Sequence, residues 1–132
     1  MATNDDILKL FEGLRVADVR DGMDWIGLHH RGTMNREIRP IVPGVRMCGR
    51  AFTVKSRPTD KTIPHLTPEE YTDWAYNYWY KEVAIQPWVD DLRPGDVVVI
   101  EGHDLNVGEV GSNNSLGWRG KGAVGVVTSG GV

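Results

Sequence analysis

The run Gly111-Ser112-Asn113-Asn114-Ser115 is where this sequence best places chemistry. It follows an apolar stretch that reads as a strand and opens a stretch that reads as a helix. The first N–H groups of a helix have no partner inside it, and the helix dipole adds partial positive charge there. Such a start holds carboxylate or phosphate, and Gly111 lets a ligand come close to the backbone. The same residues also suit an ordinary helix cap, because Ser and Asn are favoured capping types. The run is not a phosphate-binding P-loop, since the Gly-Lys-Ser/Thr ending is absent.

A second group lies just before it. Glu101, His103 and Asp104 follow the apolar run Val97–Ile100. Carboxylates and an imidazole at the C-terminal end of a strand suit metal binding or acid–base work, and they equally suit a solvated loop. His29-His30 argues against a zinc site, because sequence neighbours do not converge on one ion from a helix and no other ligand spacing accompanies them; a place for one of the two in a pocket or interface stays open. Arg20-Asp21 reads either as a surface pair or as a pair facing a pocket. The single cysteine, Cys48, precludes an intrachain disulfide; the expectation is a buried small hydrophobe in a reducing compartment.

These residues need a scaffold. The chain has 132 residues, a length that suits one domain with a hydrophobic core. Its formal net charge of −3, with basic residues scattered, argues against nucleic acid and anionic membrane as partners. The N-terminus is acidic and amphipathic, unlike a signal peptide. No apolar run reaches bilayer length. A cytoplasmic protein is expected.

Asn4 or Asp5 is expected to cap a first helix with Ile7, Leu8, Leu10, Phe11 and Leu14 as its apolar stripe. Val19, Met23 and Ile26 recur at helical spacing, predicting a second helix from about Val16 to Ile26. Gly, Pro and charge then mark a loop with one short strand near Ile38. VRMCGRAFTV alternates apolar and polar residues and predicts a strand over about Met47–Lys55. Thr67-Pro68-Glu69-Glu70 combines a capping threonine, a proline at the first helical position and a glutamate that closes a capping box. The helix it opens should run to about Ile85, before Pro87. Its aromatic cluster is expected to pack on the sheet or, preferentially, on another subunit. Val97–Ile100 and Ala123–Thr128 read as strands flanking the helix that Gly111 opens. That order is a βαβ unit, which makes the pair parallel.

VADVRDGMDWIG, IRPIVPGVRMCGRAFTV, LRPGDVVVIEG and GSNNSLGWRGKGAVGVVTSGG occur in this order. Together they resemble the RraA-like family, which includes the regulator of ribonuclease activity A and the 4-hydroxy-4-methyl-2-oxoglutarate aldolases. The resemblance runs from about Leu14 to Val132. It implies an α/β fold, a swivelling β/β/α-type domain with a central, largely parallel sheet. One such domain over 1–132 is expected, with an aromatic-rich helical insertion at about 59–88. It further implies a homo-trimer or hexamer and, in the aldolases, a divalent metal, magnesium or manganese, in a cleft between subunits.

By the same resemblance the pyruvyl carboxylate of a small 2-oxo acid rests on the amides of Gly111 to Ser115. Ser112, Asn113 and Asn114 then take the catalytic positions; the metal ligands are not identified by the resemblance, and Glu101, His103 and Asp104 are candidates only from their place past the end of a strand. The aldolases carry an acidic residue where this chain has Ser112, and their Arg-Asp pair would follow Val132. The sheet is therefore expected to be incomplete at its C-terminus and completed by a C-terminal fragment of the same precursor. The function implied is a metal-dependent lyase that cleaves an aldol or decarboxylates an oxaloacetate-type acid through a pyruvate enolate. Two alternatives stand beside it. One is a hydrolase activated by cleavage after Val132. The other is a non-catalytic regulatory binding module, suggested by Ser112.

Overall fold

The computed structural model describes residues 3–103 and 107–131. Its elements are α1 (Asn4–Lys9), α2 (Val16–Trp25), β1 (Arg50–Lys55), α3 (Pro68–Trp74), a π-helix (Ala75–Val83), a 3₁₀ turn (Pro87–Asp91), β2 (Asp96–Glu101), α4 (Ser112–Gly120) and β3 (Gly125–Thr128). The three strands form one parallel sheet in the order β1-β2-β3. This is the mixed α/β fold that the sequence pattern predicts, with β2, α4 and β3 as its parallel unit.

β2 is the centre because it has the longest apolar run. Val97, Val98 and Ile100 are buried. Alternate residues point to one face, where Val98 and Ile100 meet Trp118 of α4 and Leu92 from the approach to β2. Phe52, Val54, Trp88, Val110 and Val126 pack around that cluster. Trp88 stacks at a tilt on both Phe52 and Trp118, with ring centroids 5.9 and 5.2 Å away. The Trp118 indole N–H donates to Gln86 at 3.2 Å, so the buried ring keeps a partner for its polar atom.

The turn before β2 is held by a buried carboxylate. Asp96 is fully buried, accepts from the Arg93 amide at 2.8 Å and pairs with Arg50 of the neighbouring strand at 2.5 Å. Gly95 sits at φ +86, a conformation that suits glycine, and its carbonyl accepts from the Arg50 amide. Strand register and turn are thereby fixed by the same few residues.

Several elements differ from the sequence expectation. Thr3, rather than Asn4 or Asp5, caps α1 and forms a capping box with Asp6. The helix ends at Lys9, short of Leu14. Arg15 occupies the cap position of α2, and Asp18 accepts from its amide and guanidinium. No regular element forms around Ile38, and β1 starts at Arg50, with Met47 outside the strand and its side chain against Gly125. Cys48 is exposed, contrary to the expected burial; it sits in the irregular approach to β1, which no element covers.

The helix capped by Thr67 begins as predicted, with its capping box formed, then widens into a π-helix at Ala75. The π turn bonds i to i+5, as Ala84 N–H does to the Trp79 carbonyl. That widening brings i+4 and i+5 over the same ring. Trp74 meets both Tyr78 and Trp79, at 5.7 and 5.6 Å between centroids. No described helix is long and apolar enough to cross a membrane.

Candidate functional site

Three strand ends and one helix start define the site. In a parallel sheet the C-terminal strand ends all lie on one edge, and ligands of open α/β sheets bind outside that edge. Here it carries Lys55, Glu101 and Thr128. Val107–Glu109 pairs with the segment just past β3 before α4 begins. A parallel bridge pairs Gly108 with Gly131: the Glu109 amide donates to the Gly131 carbonyl at 3.0 Å, and the Gly131 amide donates to the Val107 carbonyl at 2.9 Å. This bridge keeps the start of α4 beside the end of β3.

Gly111 is the residue before α4, with φ −95 and ψ 153, and no side chain caps the helix. The Ser112, Asn113 and Asn114 amides occupy the first three helical positions, which have no acceptor inside a helix. The Ser115 amide already bonds the Gly111 carbonyl at 2.9 Å, and the Ser115 hydroxyl donates to the same oxygen. Ser112, Asn113 and Asn114 are exposed. The expected run is thus one helix start whose first three amides face no side-chain cap.

Glu101 and His103 are also at this edge but do not converge. Glu101 is opposite Lys55 in the strand register and pairs with it at 3.0 Å. His103 is exposed and takes φ +58, an uncommon conformation for a residue with a Cβ. Asp104 lies outside the described residues. His29 pairs instead with Asp24 at 3.2 Å. Arg20 donates to the Thr33 hydroxyl.

Two residues that the sequence expectation does not name as site candidates, Glu109 and Thr128, meet at the same strand edge. Glu109 is half-buried, and its Oε2 accepts from the Thr128 hydroxyl. Its Oε1 is fully covered and has no hydrogen-bond partner among the described residues. Gly102 and Gly130 flank the carboxylate so closely that a Cβ on either would come within 2.6 Å of a carboxylate oxygen. The Gly130 amide donates to the Thr128 oxygen at 2.9 Å, and the Gly102 amide to the Ser129 hydroxyl at 3.0 Å. The glycines were the only sequence signal, and a glycine in a loop has many ordinary causes.

Beside these hydroxyls lies a cleft of about 460 Å³, lined by residues that include Ile38, Lys55, Val99, Glu101, Thr128 and Ser129. A larger and more open groove of about 600 Å³ runs along α3 and the π-helix, past Glu69, Asp73, Trp74 and Tyr78. It is remote in sequence from every residue of the strand edge.

The donor set does not suit a divalent ion by itself. Among the described residues no three His, Cys, Asp or Glu side chains gather where an ion could be held. Glu101 is engaged by Lys55, and Glu109 faces a threonine hydroxyl between two glycines.

No curated protein matches this sequence. A solved structure of an uncharacterized protein from Pseudomonas syringae pv. tomato str. DC3000 is similar, with a TM-score of 0.62 and 22% identity. The match covers 98% of this chain and 49% of that one, so the chain spans about half that protein's length. At such identity the likeness speaks for the fold. The RraA-like family, described as Aldolase/RraA, matches residues 16–132. That span holds the whole sheet, α4 and the strand-edge residues, and the chain belongs to the RraA-like family.

Proposed function

We propose that this chain serves a lyase acting on a small 2-oxo acid, by aldol cleavage or by oxaloacetate-type decarboxylation through a pyruvate enolate. The observation that carries the reading is the uncapped start of α4 at the C-terminal edge of the sheet. A carboxylate accepts from the Ser112, Asn113 and Asn114 amides, with the helix dipole favouring its charge. Gly111 leaves the approach open. Donors fixed in the backbone need no reorganisation as charge develops on the substrate.

A divalent ion, magnesium or manganese, remains part of the proposal through the family, and would polarise the 2-oxo group. The described residues do not form its donor set. Its ligands, and the homo-trimer or hexamer in which they would meet, are proposed to come from outside these residues, a C-terminal fragment included. Turnover lost in EDTA and regained with magnesium is the expected result.

The direct test is Ser112→Pro. Proline suits the first helical position and deletes one N–H. Gly111 already has the extended backbone that a residue before proline requires. Oxalate, which mimics an enolate of pyruvate, should bind about tenfold more weakly to this variant, with the fold intact. That ratio corresponds to one charge-assisted hydrogen bond at the low end of its range. Unchanged oxalate affinity would remove α4 from the site.

A second reading is a regulatory module without turnover, favoured by the many large apolar side chains left exposed on α1, α2 and the following loop. It predicts a partner retained in stoichiometric amount on purification, and no activity on any 2-oxo acid.

A further inference from the structure

Two uncovered surfaces of this chain carry opposite charge, and each mixes that charge with apolar side chains. The first is α3 with the π-helix. It bears Glu69, Glu70, Asp73 and Glu82 against one base, Lys81, and none of its residues is buried. Lys81 lies over the Tyr76 ring, 5.4 Å from its centroid, and makes no ion pair among the described residues. The groove of about 600 Å³ on this face sets the Glu69 and Asp73 carboxylates beside Trp74 and Tyr78, with no cationic side chain in its wall.

The second surface is the irregular segment 31–46. Its basic residues are all arginine, namely Arg31, Arg36, Arg39 and Arg46, against one carboxylate, Glu37. All four are exposed, and none makes an ion pair among the described residues. Ile41 and Val42 stand exposed between Arg39 and Arg46. Arginine is the base that fits the first surface. Its planar guanidinium meets a carboxylate with two parallel hydrogen bonds and stacks on tryptophan and tyrosine faces. The apolar side chains beside the arginines match Tyr76 and Tyr80, which are exposed on the helical surface.

We propose that the acidic, aromatic face of α3 and the π-helix docks on the arginine-bearing segment 31–46 of a second copy of this chain. Both surfaces are uncovered in the same chain, so every copy offers both halves of the contact. Two different surfaces meet, and the contact closes as a reciprocal pair or as a ring. The proposal concerns how copies meet and does not depend on the reaction proposed above.

Charge exchange in the full chain tests it. Glu69→Arg with Asp73→Arg makes the helical face basic, and Arg36→Glu with Arg39→Glu makes the segment acidic. Each double variant alone should self-associate about 100-fold more weakly than the wild type in analytical ultracentrifugation, because like charges then face each other. Wild-type association should weaken as salt rises. Mixed in equal amounts, the two variants should associate again, since every contact between them joins opposite charges. Native mass spectrometry should find both chains in one assembly, and that recovery also shows that both variants are folded. A wild-type chain that stays monomeric would overturn the proposal and leave these surfaces to a different partner. Double variants that associate as the wild type does would also overturn it, placing the contact between copies elsewhere. Failure to recover on mixing would overturn it as well. Recovery confined to a chain carrying all four substitutions would mean that the helical face docks on the arginines of its own chain.

Discussion

The sheet with α4 and the helices α1, α2 and α3 are built from similar proportions of apolar residues, yet only the first region buries them. Val98, Ile100, Leu92 and Trp118 close one core between β2 and α4. α1, α2, α3 and the π-helix contain no buried residue. Trp25 is 90% exposed, whereas Trp118 is 1% exposed. Helical periodicity alone therefore does not stabilise a helix in place. An apolar stripe contributes when another surface removes it from water. In the sheet region that surface is supplied by neighbouring strands. In the helical region the local caps carry the ends, and the stripes stay available.

Trp118→Ala should break the packed region with the largest effect. Removing a fully buried tryptophan costs about 3–5 kcal/mol. It also leaves Trp88 without its stacking partner and Gln86 without its donor. A denaturant midpoint measures it. A loss below about 1 kcal/mol would mean that α4 does not close the core.

Asp96→Ala comes next, with an expected loss of about 2–4 kcal/mol. The range sits below that for a fully buried pair because Arg50 is partly exposed. The substitution orphans the Arg93 amide as well as Arg50. If equilibrium unfolding shows no change, the turn before β2 is held by Gly95 and its backbone bonds instead.

The packed region was also the legible one. Val97–Ile100 announces a central strand by its length of apolar residues, and Gly111–Ser115 announces a helix start after it. The capping box at Thr67 needs only residues three apart, so it can be read directly. The π-helix beyond it could not be read, since it depends on how Trp74, Tyr78 and Trp79 settle against one another. Glu109 could not be read either. Its partner Thr128 is 19 residues away, and its glycine walls come from two different turns. Cys48 failed as a burial prediction because its apolar neighbours lie before the strand rather than in it.

Thr67→Ala tests the helical region, where caps rather than burial hold the ends. The Thr67 hydroxyl receives the Glu70 amide and gives its proton to the Glu70 carboxylate, which also accepts from the Thr67 amide. Losing a threonine cap costs about 1 kcal/mol of local helix stability. Faster amide exchange over α3, with the sheet's exchange unchanged, is expected. Equal changes in both regions would show that α3 is coupled to the sheet and would erase the contrast between them.

The smallest effect is a pH response at the start of α2, and its sign follows from Asp18. Hydrogen bonds from the Arg15 guanidinium and then its amide hold this carboxyl at about 2, below its usual value of 3.8. A carboxyl depressed in the folded state contributes stability above its unfolded pKa and loses it as pH falls toward the folded one. The window is therefore from about pH 4 down to about pH 2. Because the pair is on the surface, salt screens its ionic part. Following the Asp18 carboxyl carbon by NMR should place its midpoint near the lower end of that window. Amide exchange at the first turn of α2 should accelerate over the same range, and Asp18→Asn should abolish that pH dependence. A midpoint at the ordinary value for an aspartate would mean that Arg15 does not hold Asp18 in solution. The start of α2 would then lack its cap as well as a buried face, and the helix would depend on whatever surface covers Val16 and Trp25.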